Sequence, residues 1–356
     1  MTTNFTDLSQ SPVAASNAAT PALSIDSLSK TYYSPFHRLR QRLHRPLKPH
    51  VVALSNVSFT VSAGEVFGLL GRNGAGKTTL AKIIATLVQP TTGSAAVYGY
   101  DSLRDENRVK SLIGLATAEE RNSYWRLTVD ENLLFFARIY GMPEKRARER
   151  IDELIDYFEL REFARRRFGE LSTGNKQRVT IARSLLIQPP MLLLDEPTRS
   201  MDPLAAAKMR RLISGLARET PPVTVLLTSH NLSEVEELCD RVAIIDAGSI
   251  RAIDAPQSLC TAHGISETVQ IVIHQGPSDL LSNELELLCG PVKFEVVGDD
   301  TRITLSRSSG DSRLDDAIRL VQKLGGRIVS IETTSVKLLD VLERLVAESD
   351  SAGSGL

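Results

Sequence analysis

Short apolar runs alternate with segments in which apolar residues recur at intervals of three and four, from about residue 23 to residue 258. The clearest apolar runs are EVFGLL, MLLL and VTVLLT, and polar residues come at or shortly after the end of each of them. This alternation predicts an α/β fold with a parallel sheet and crossover helices. Because ligands bind at the carboxyl ends of strands in such sheets, the polar residues that follow these runs are candidate site residues.

Between residues 119 and 186 the pattern is mainly helical, as in ENLLFFARIY and ARERIDELIDYF. It predicts a helical subdomain inserted in the sheet. The sequence changes character between residues 257 and 266, and strand and helix patterns then follow in the order β-α-β-β-α-β. That order matches a small α+β domain of the ferredoxin-like type.

The expected domain organisation therefore has two folded parts between polar tails, which we expect to be disordered. The parts are an N-terminal tail over 1–22, a main domain over 23–260, a C-terminal α+β domain over 266–347 and a tail over 348–356.

Composition and charge narrow the class of protein. Lys and Arg total 42 against 43 Asp and Glu, and this balance gives no overall attraction to nucleic acid or anionic lipid. The 3 cysteines lack paired spacing and are interpreted as reduced cytosolic thiols. No apolar run approaches the ~18 residues of a membrane-spanning helix, and the N-terminus does not resemble a secretory signal. We expect a cytoplasmic chain, with any transmembrane path in a partner.

One segment has the spacing of a phosphate-binding loop. GRNGAGKTT follows the run EVFGLL, precedes the helical pattern KTTLAKIIATLV and fits G-x-x-x-x-G-K-[ST]. Glycines let backbone N–H groups approach phosphate oxygens, Lys77 can reach the β- and γ-phosphates, and Thr78 can coordinate Mg²⁺. The plainer alternative is a Gly-rich turn before an ordinary helix. The predicted nucleotide-binding residues are Gly71, Arg72, Asn73, Gly74, Ala75, Gly76, Lys77, Thr78 and Thr79.

Polar residues after two other apolar runs complete the candidate chemistry. Asp195 and Glu196 follow the four apolar residues of MLLLDEP, where Asp195 can hold Mg²⁺ and Glu196 can polarise an attacking water. An Asp-Glu pair at this position can also be only a helix N-cap. His230 ends VTVLLTSH, where it can orient the water or serve as a structural hydrogen-bonding group.

A third motif gives the sequence a family resemblance. LSTGNKQR begins a predicted helix, and its order after the phosphate loop and before MLLLDEP resembles the signature of ABC ATPases. It departs from the familiar LSGGQ at Thr173 and Asn175, and is similar to the STG-x-KQR form of ABC-2-type exporters of drugs and lipid-linked glycans. The resemblance implies a P-loop NTPase core with a helical subdomain, and ATP and Mg²⁺ as cofactors.

The same resemblance implies an assembly. In this family two ATPase subunits enclose two ATP molecules head to tail, so that the signature of one subunit contacts the γ-phosphate held by the other. The chain is therefore expected to form a homodimer, or a heterodimer with a related ATPase, and to power export through a separate transmembrane permease at the inner face of the cell membrane. The in-trans signature residues are Ser172, Thr173, Gly174 and Asn175.

Two further positions match the family one by one, and a third departs from it. Tyr32 fits the aromatic residue that stacks on adenine, although Tyr33 could serve instead, and Asp202 fits the D-loop aspartate at the subunit interface. The family usually has a Gln between the sheet and the helical subdomain. The corresponding stretch has no Gln, and its equivalent position is Glu119, where a carboxylate could still bind Mg²⁺.

Two surface features and two other function classes stay open. The aromatic pair Tyr124 and Trp125 can be loop packing or an interface for membrane helices. The basic insertion, residues 33–50, can be a solvated loop or a short amphipathic helix that contacts lipid or the permease.

A non-transport ABC ATPase and a nucleotide-binding regulator are the alternative functions, and no broad basic face indicates nucleic-acid binding.

Overall fold

A computed structural model describes the chain in two compact units, which divide between Ile253 and Asp254. The division lies a few residues before the end at residue 260 that the sequence suggested for the main domain. Glu119 and nearly all of the basic insertion lie outside the described residues. The described residues are 20–33, 50–117, 123–218, 220–262, 267–274, 279–289, 292–298, 300–307, 313–334, 338 and 341–342.

The first unit alternates strands and helices from its beginning. In chain order its elements are β1 (Leu23–Tyr32), β2 (Val51–Val61), β3 (Val66–Leu70), α1 (Lys77–Ile84), β4 (Thr92–Val97), β5 (Tyr100–Asp101), α2 (Glu106–Leu112), β6 (Ile113–Thr117), α3 (Val129–Ile139), α4 (Glu144–Tyr157), α5 (Thr173–Ser184), β7 (Met191–Asp195), α6 (Pro203–Arg218), β8 (Thr224–Ser229), α7 (Leu232–Leu238), β9 (Arg241–Asp246) and β10 (Ser249–Asp254).

The central sheet of the first unit has six strands in the order β10-β9-β3-β8-β7-β6. The neighbours from β9 to β6 are parallel, as the alternating pattern predicts. Every residue of β3 and β8 is buried, which is typical of parallel strands covered on both faces. The register pairs Leu70 with Ser229 and Asp195 with Thr228, so β3, β7 and β8 end at one edge of the sheet.

A second, antiparallel sheet in the order β2-β1-β4-β5 packs with the central sheet around one hydrophobic core. Helix α1 contributes Leu80, Ile83 and Ile84 to this core. The rings of Phe59 in β2 and Phe67 in β3 stack at 5.1 Å. The helix that follows the phosphate loop is thereby fixed against both sheets, because its apolar face is buried between them.

Helices α3, α4 and α5 lie in the region for which the sequence predicts a helical subdomain. Thr128 and Glu131 form a capping box at the start of α3. The buried Asn132 bonds the carbonyl oxygens of Tyr124, Leu127 and Thr128 and so fixes the loop that enters this helix. Among the helices described, none is both long enough and apolar enough to cross a bilayer.

The second unit has its own hydrophobic core and an antiparallel sheet in the order β12-β13-β11-β14. With two helices following the first and third of these strands in the chain, this is the arrangement of a ferredoxin-like fold. Its elements are α8 (Pro256–Ala262), β11 (Glu267–His274), α9 (Asp279–Cys289), β12 (Val292–Val297), β13 (Asp300–Arg307), α10 (Arg313–Lys323) and β14 (Arg327–Thr334).

Candidate nucleotide site

The loop between β3 and α1 has the backbone that its glycines allow. Gly74 and Gly76 have φ angles of 85° and 106°, which side chains disfavour. A Cβ atom on Gly76 would lie 2.5 Å from the carbonyl oxygen of Ala53, so glycine is required there. Gly76 also precedes the first turn of α1 without a side-chain cap, and the N–H groups of that turn are therefore available to a phosphate.

Lys77 is held inside this loop by two main-chain carbonyl groups. Its Nζ donates to the oxygen of Gly71 at 2.7 Å and to that of Arg72 at 3.2 Å, and the residue is buried. Burial lowers the pKa of Lys77, while the charges of Glu196 and Asp195 oppose that shift. The loop thus keeps an ammonium group next to the open N-terminus of α1.

A pair of oxygen ligands suitable for Mg²⁺ lies beside the loop. The hydroxyl oxygen of Thr78 is 3.3 Å from Oδ1 and 3.4 Å from Oδ2 of Asp195. Thr228 in β8 donates its hydroxyl to Oδ1 of Asp195 at 2.5 Å and fixes the carboxylate. Hydroxyl and carboxylate oxygens are hard donors that Mg²⁺ prefers, so the donor set fits this ion.

Glu196 and His230 are brought together by neighbouring strands. The N–H of Glu196 donates to the carbonyl oxygen of Thr228 at 3.1 Å, and Glu196 has a φ of 56°. Its Oε2 contacts Nδ1 of His230. The Glu196 side chain is 13% exposed and that of His230 is 51% exposed. A largely shielded carboxylate held by an imidazole is an arrangement suited to accept a proton from water.

A cleft of about 670 Å³ joins these groups. Tyr32 lines one side with Val51–Ala53, whereas Tyr33 is not among the lining residues and lies near His50 instead. Of the two candidate tyrosines, Tyr32 is therefore the one at the cleft. The other lining residues are Asn73, Gly74, Gly76, Lys77, Thr78, Thr79, Thr117, Phe168, Thr173, Lys176, Gln177, Thr180, Asp195, Glu196, Arg199 and Ser200.

The signature residues lie at the start of α5 and only in part along the cleft. Ser172 caps the helix by accepting from the N–H of Asn175 at 3.4 Å, and Thr173 lines the cleft. Ser172, Gly174 and Asn175 are not among its lining residues. A Cβ atom on Gly174 would lie 3.6 Å from that of Ala205 in α6. Ser172, Gly174 and Asn175 are therefore outside the cleft of their own chain, whereas Thr173 and the following Lys176 and Gln177 line it.

The remaining predicted residues have separate positions. Asp202 accepts the N–H of Ala205 at 2.9 Å, which places it at the N-terminus of α6. His230 contacts Glu196 but does not line the cleft itself. Trp125 is half exposed, and Lys176 of α5 lies 4.6 Å from the centre of its ring. Trp125 thus belongs to the surface next to the signature helix.

Sequence reasoning did not identify several residues of the site. Arg199 and Thr117 line the cleft, and their positions depend on contacts that no local motif encodes. Gln177 also lines it and belongs to the motif LSTGNKQR, although it was not among the predicted site residues. Glu234 is 1% exposed although it lies in the acidic segment NLSEVEEL. Its neighbours Val235 and Leu238 form the apolar face of α7, and position on that face was the available signal for its burial.

Comparison with known proteins gives one consistent result. The family described as "ABC transporter" matches residues 54–199. The chain is 40% identical over 212 residues to the ABC transporter ATP-binding protein NatA of Bacillus subtilis, which is 60% of this chain and 85% of NatA. It is 34% identical over 279 residues to the doxorubicin resistance ATP-binding protein DrrA of Mycobacterium tuberculosis, which is 78% of this chain and 83% of DrrA.

A solved structure resembles part of the chain. The dimeric structure of a post-hydrolysis state of the ATP-binding cassette MJ0796, bound to ADP and Pi, superposes with a TM-score of 0.56 at 26% identity. The match covers 65% of this chain and 98% of the cassette. The likeness therefore spans the whole of that cassette and leaves about a third of this chain without a counterpart in it.

Proposed function

Because this chain belongs to the ABC transporter ATP-binding proteins and is an ATP hydrolase of that family, we propose that two subunits close around ATP and power export through a separate permease. The resemblance drawn from the motifs is confirmed, as are the α/β fold class and the P-loop NTPase core. The pairing of two subunits, the separate permease and the direction of transport go beyond what is confirmed, and they are proposed.

The convergence of Lys77, Thr78, Asp195 and Glu196 on one cleft is the observation that supports the reaction most directly. Lys77 and the N-terminus of α1 bind the β- and γ-phosphates. Thr78 and Asp195 would hold Mg²⁺, and the ion would neutralise phosphate charge there. A water oxygen attacks the γ-phosphorus, its proton passes to Glu196, and the bond to the ADP oxygen breaks.

His230 holds Glu196 in position for this proton transfer. Its Nδ1 contacts one carboxylate oxygen of Glu196, and Glu196 itself lines the cleft. In the proposal, its exposed ring also reaches the γ-phosphate once the subunits close. Tyr32, which also lines the cleft, stacks on adenine in this proposal.

The position of the signature supports a site shared between subunits. Ser172 and Gly174 do not line their own chain's cleft, so they are free to face the nucleotide of a second subunit. Asp202 accepts the N–H of Ala205, the residue of α6 that lies beside Gly174. In the proposal, Asp202 contributes to the same interface. The MJ0796 cassette, which this chain resembles, is dimeric in its solved structure.

The export partner is inferred from the relatives. DrrA is named for doxorubicin resistance, and another relative, BcrA of Bacillus licheniformis, is named a bacitracin transport ATP-binding protein. None of the described helices could cross a bilayer, and the permease therefore supplies the path in this proposal. The protein is then peripheral at the inner face of the cell membrane, with the half-exposed Tyr124 and Trp125 at the permease contact.

Phosphate release and size-exclusion chromatography test the proposal together. The wild-type protein should release phosphate from ATP with Mg²⁺, and Glu196→Gln should bind ATP, lose turnover and elute as a dimer. Reconstitution with the permease should raise the hydrolysis rate. A Glu196→Gln protein that stays monomeric at saturating ATP and Mg²⁺ would contradict the shared site.

A further inference from the structure

A buried carboxyl group lies close to the contact between Glu196 and His230. It belongs to Glu234 in α7, which is 1% exposed. Its Oε1 accepts the hydroxyl hydrogen of Thr198 at 2.8 Å, and its Oε2 accepts that of Ser229 at 2.5 Å. Both oxygen atoms of one buried side chain are therefore hydrogen-bonded to hydroxyl groups.

The two hydroxyl groups belong to the segments that present the catalytic pair. Thr198 follows Glu196 by two positions, and Ser229 directly precedes His230. Thr198 and Ser229 are themselves buried. The Ser229 hydroxyl oxygen also accepts the N–H of Asn231 at 2.9 Å, so the bonds fix the chain on both sides of the histidine.

We propose that Glu234 is a positioning residue for ATP hydrolysis, which holds the segments after β7 and β8 at the spacing in which Glu196 and His230 meet. The inference rests on the proposed function, because the pair it positions is the pair assigned to proton transfer. Glu234 does not line the cleft, so it acts through these two segments and not on the nucleotide.

The surroundings of Glu234 disfavour the charged form of its carboxyl group, and its hydrogen bonds oppose that effect. Burial raises the pKa of Glu234, and the charge of Glu196 raises it further, while the hydroxyl groups and Arg210 oppose the shift. An apolar side chain would fill this space without the desolvation cost. What the carboxyl group adds is a pair of directed bonds to two separate segments.

The test compares three substitutions at this position by steady-state ATP hydrolysis and by ATP binding. Glu234→Ala removes both bonds and should lower kcat about 100-fold, the effect of a displacement near 1 Å at a reacting group. The dissociation constant for ATP should change less than about threefold, because Lys77 and Thr78 are untouched. A structural role alone would lower binding and turnover together.

Two conservative variants separate bond geometry from charge. Glu234→Gln keeps the length of the side chain and can bond both hydroxyl groups, since the Ser229 hydroxyl can rotate to accept from the amide. Its kcat should stay within about fivefold of the wild type. Glu234→Asp keeps the charge but is one methylene shorter, so it should lose activity like Glu234→Ala. If the Ala variant does not fold, the contrast between Gln and Asp decides the matter.

Glu236→Ala is the matched control, because Glu236 is an exposed glutamate of the same helix. It should leave the rate unchanged. Wild-type turnover in Glu234→Ala, or equal kcat values for the Gln and Asp variants, overturns the positioning role while leaving the proposed function intact. Absence of ATP hydrolysis by the wild-type protein instead overturns the proposed function itself.

Discussion

The hydroxyl oxygen of Thr78 lies 3.3 Å from Oδ1 of Asp195, although the two residues are 117 positions apart in the chain. One belongs to the start of α1 and the other to the end of β7. Thr228, in the strand beside β7, bonds the same carboxylate. Three elements therefore converge on one pair of oxygen ligands.

Removing the Thr78 hydroxyl should weaken Mg²⁺ binding. We expect Thr78→Val to raise the Mg²⁺ concentration for half-maximal hydrolysis about tenfold, since losing a bond to a charged group costs at least ~1.5 kcal/mol. Thr78→Ser keeps the hydroxyl and should stay within about threefold of the wild type. Metal titration of the hydrolysis rate gives both values, and equal titrations for Val and Ser would exclude Thr78 as a ligand.

His230→Ala should lower turnover without weakening ATP binding. Because His230 contacts Glu196 and does not line the cleft, we expect kcat to fall about 100-fold and the ATP dissociation constant to change little. The double variant with Glu196→Gln should be no slower than Glu196→Gln alone, since residues that act as a unit are not additive. Independent, multiplicative losses would show that His230 does not act through Glu196.

Mixing two inactive variants tests whether the site is shared between chains. Lys77→Ala loses the phosphate ligand and Ser172→Ala loses the signature hydroxyl, so each homodimer has no intact site. A mixed dimer has one site that combines the wild-type Lys77 of one chain with the wild-type Ser172 of the other. Phosphate release should therefore reappear on mixing.

The matched control is a mixture of two preparations of the same variant. A mixture of Lys77→Ala and Ser172→Ala that stays as inactive as this control would favour a site built within one chain. Thr173 of the signature lines the cleft of its own chain, so a site within one chain is the alternative that this experiment tests.

The part of the site that the sequence predicted is the part encoded locally or by sheet topology. The spacing of Gly74 and Gly76 predicts a loop that requires positive φ angles, and both glycines have them. Asp195 and His230 could be placed near that loop because parallel strands end at one sheet edge. No comparable rule places Arg199 or Thr117 along the cleft.

Choices between neighbouring residues depended on packing. Tyr32 and Tyr33 are adjacent, and which of them faces the cleft depends on the face that β1 presents, which is fixed by its pairing with β2. The sequence pattern predicted the end of the main domain at residue 260, whereas the structure divides the two units between Ile253 and Asp254. The segment Pro256–Ala262 forms a helix of the second unit, and the sequence pattern did not reveal this. Carboxyl groups are ordinarily exposed, and composition alone therefore gave no reason to single out Glu234, which is buried.

The raised pKa of Glu234 predicts a difference in stability that grows with pH. An acid whose folded pKa is raised binds its proton more tightly in the folded state, so its contribution to folding is present at low pH. That contribution is lost as pH rises from the ordinary pKa of Glu, about 4.3, through the raised folded value. Glu234→Gln does not titrate at this position and should avoid the loss.

Thermal unfolding of both proteins from about pH 4 to about pH 8 should show the midpoint of the Gln variant rising relative to the wild type. Other groups cancel in this comparison, and Glu236→Gln, at an exposed position, should show no such trend. A constant difference across the range would mean that the Glu234 carboxyl group does not change its protonation with folding.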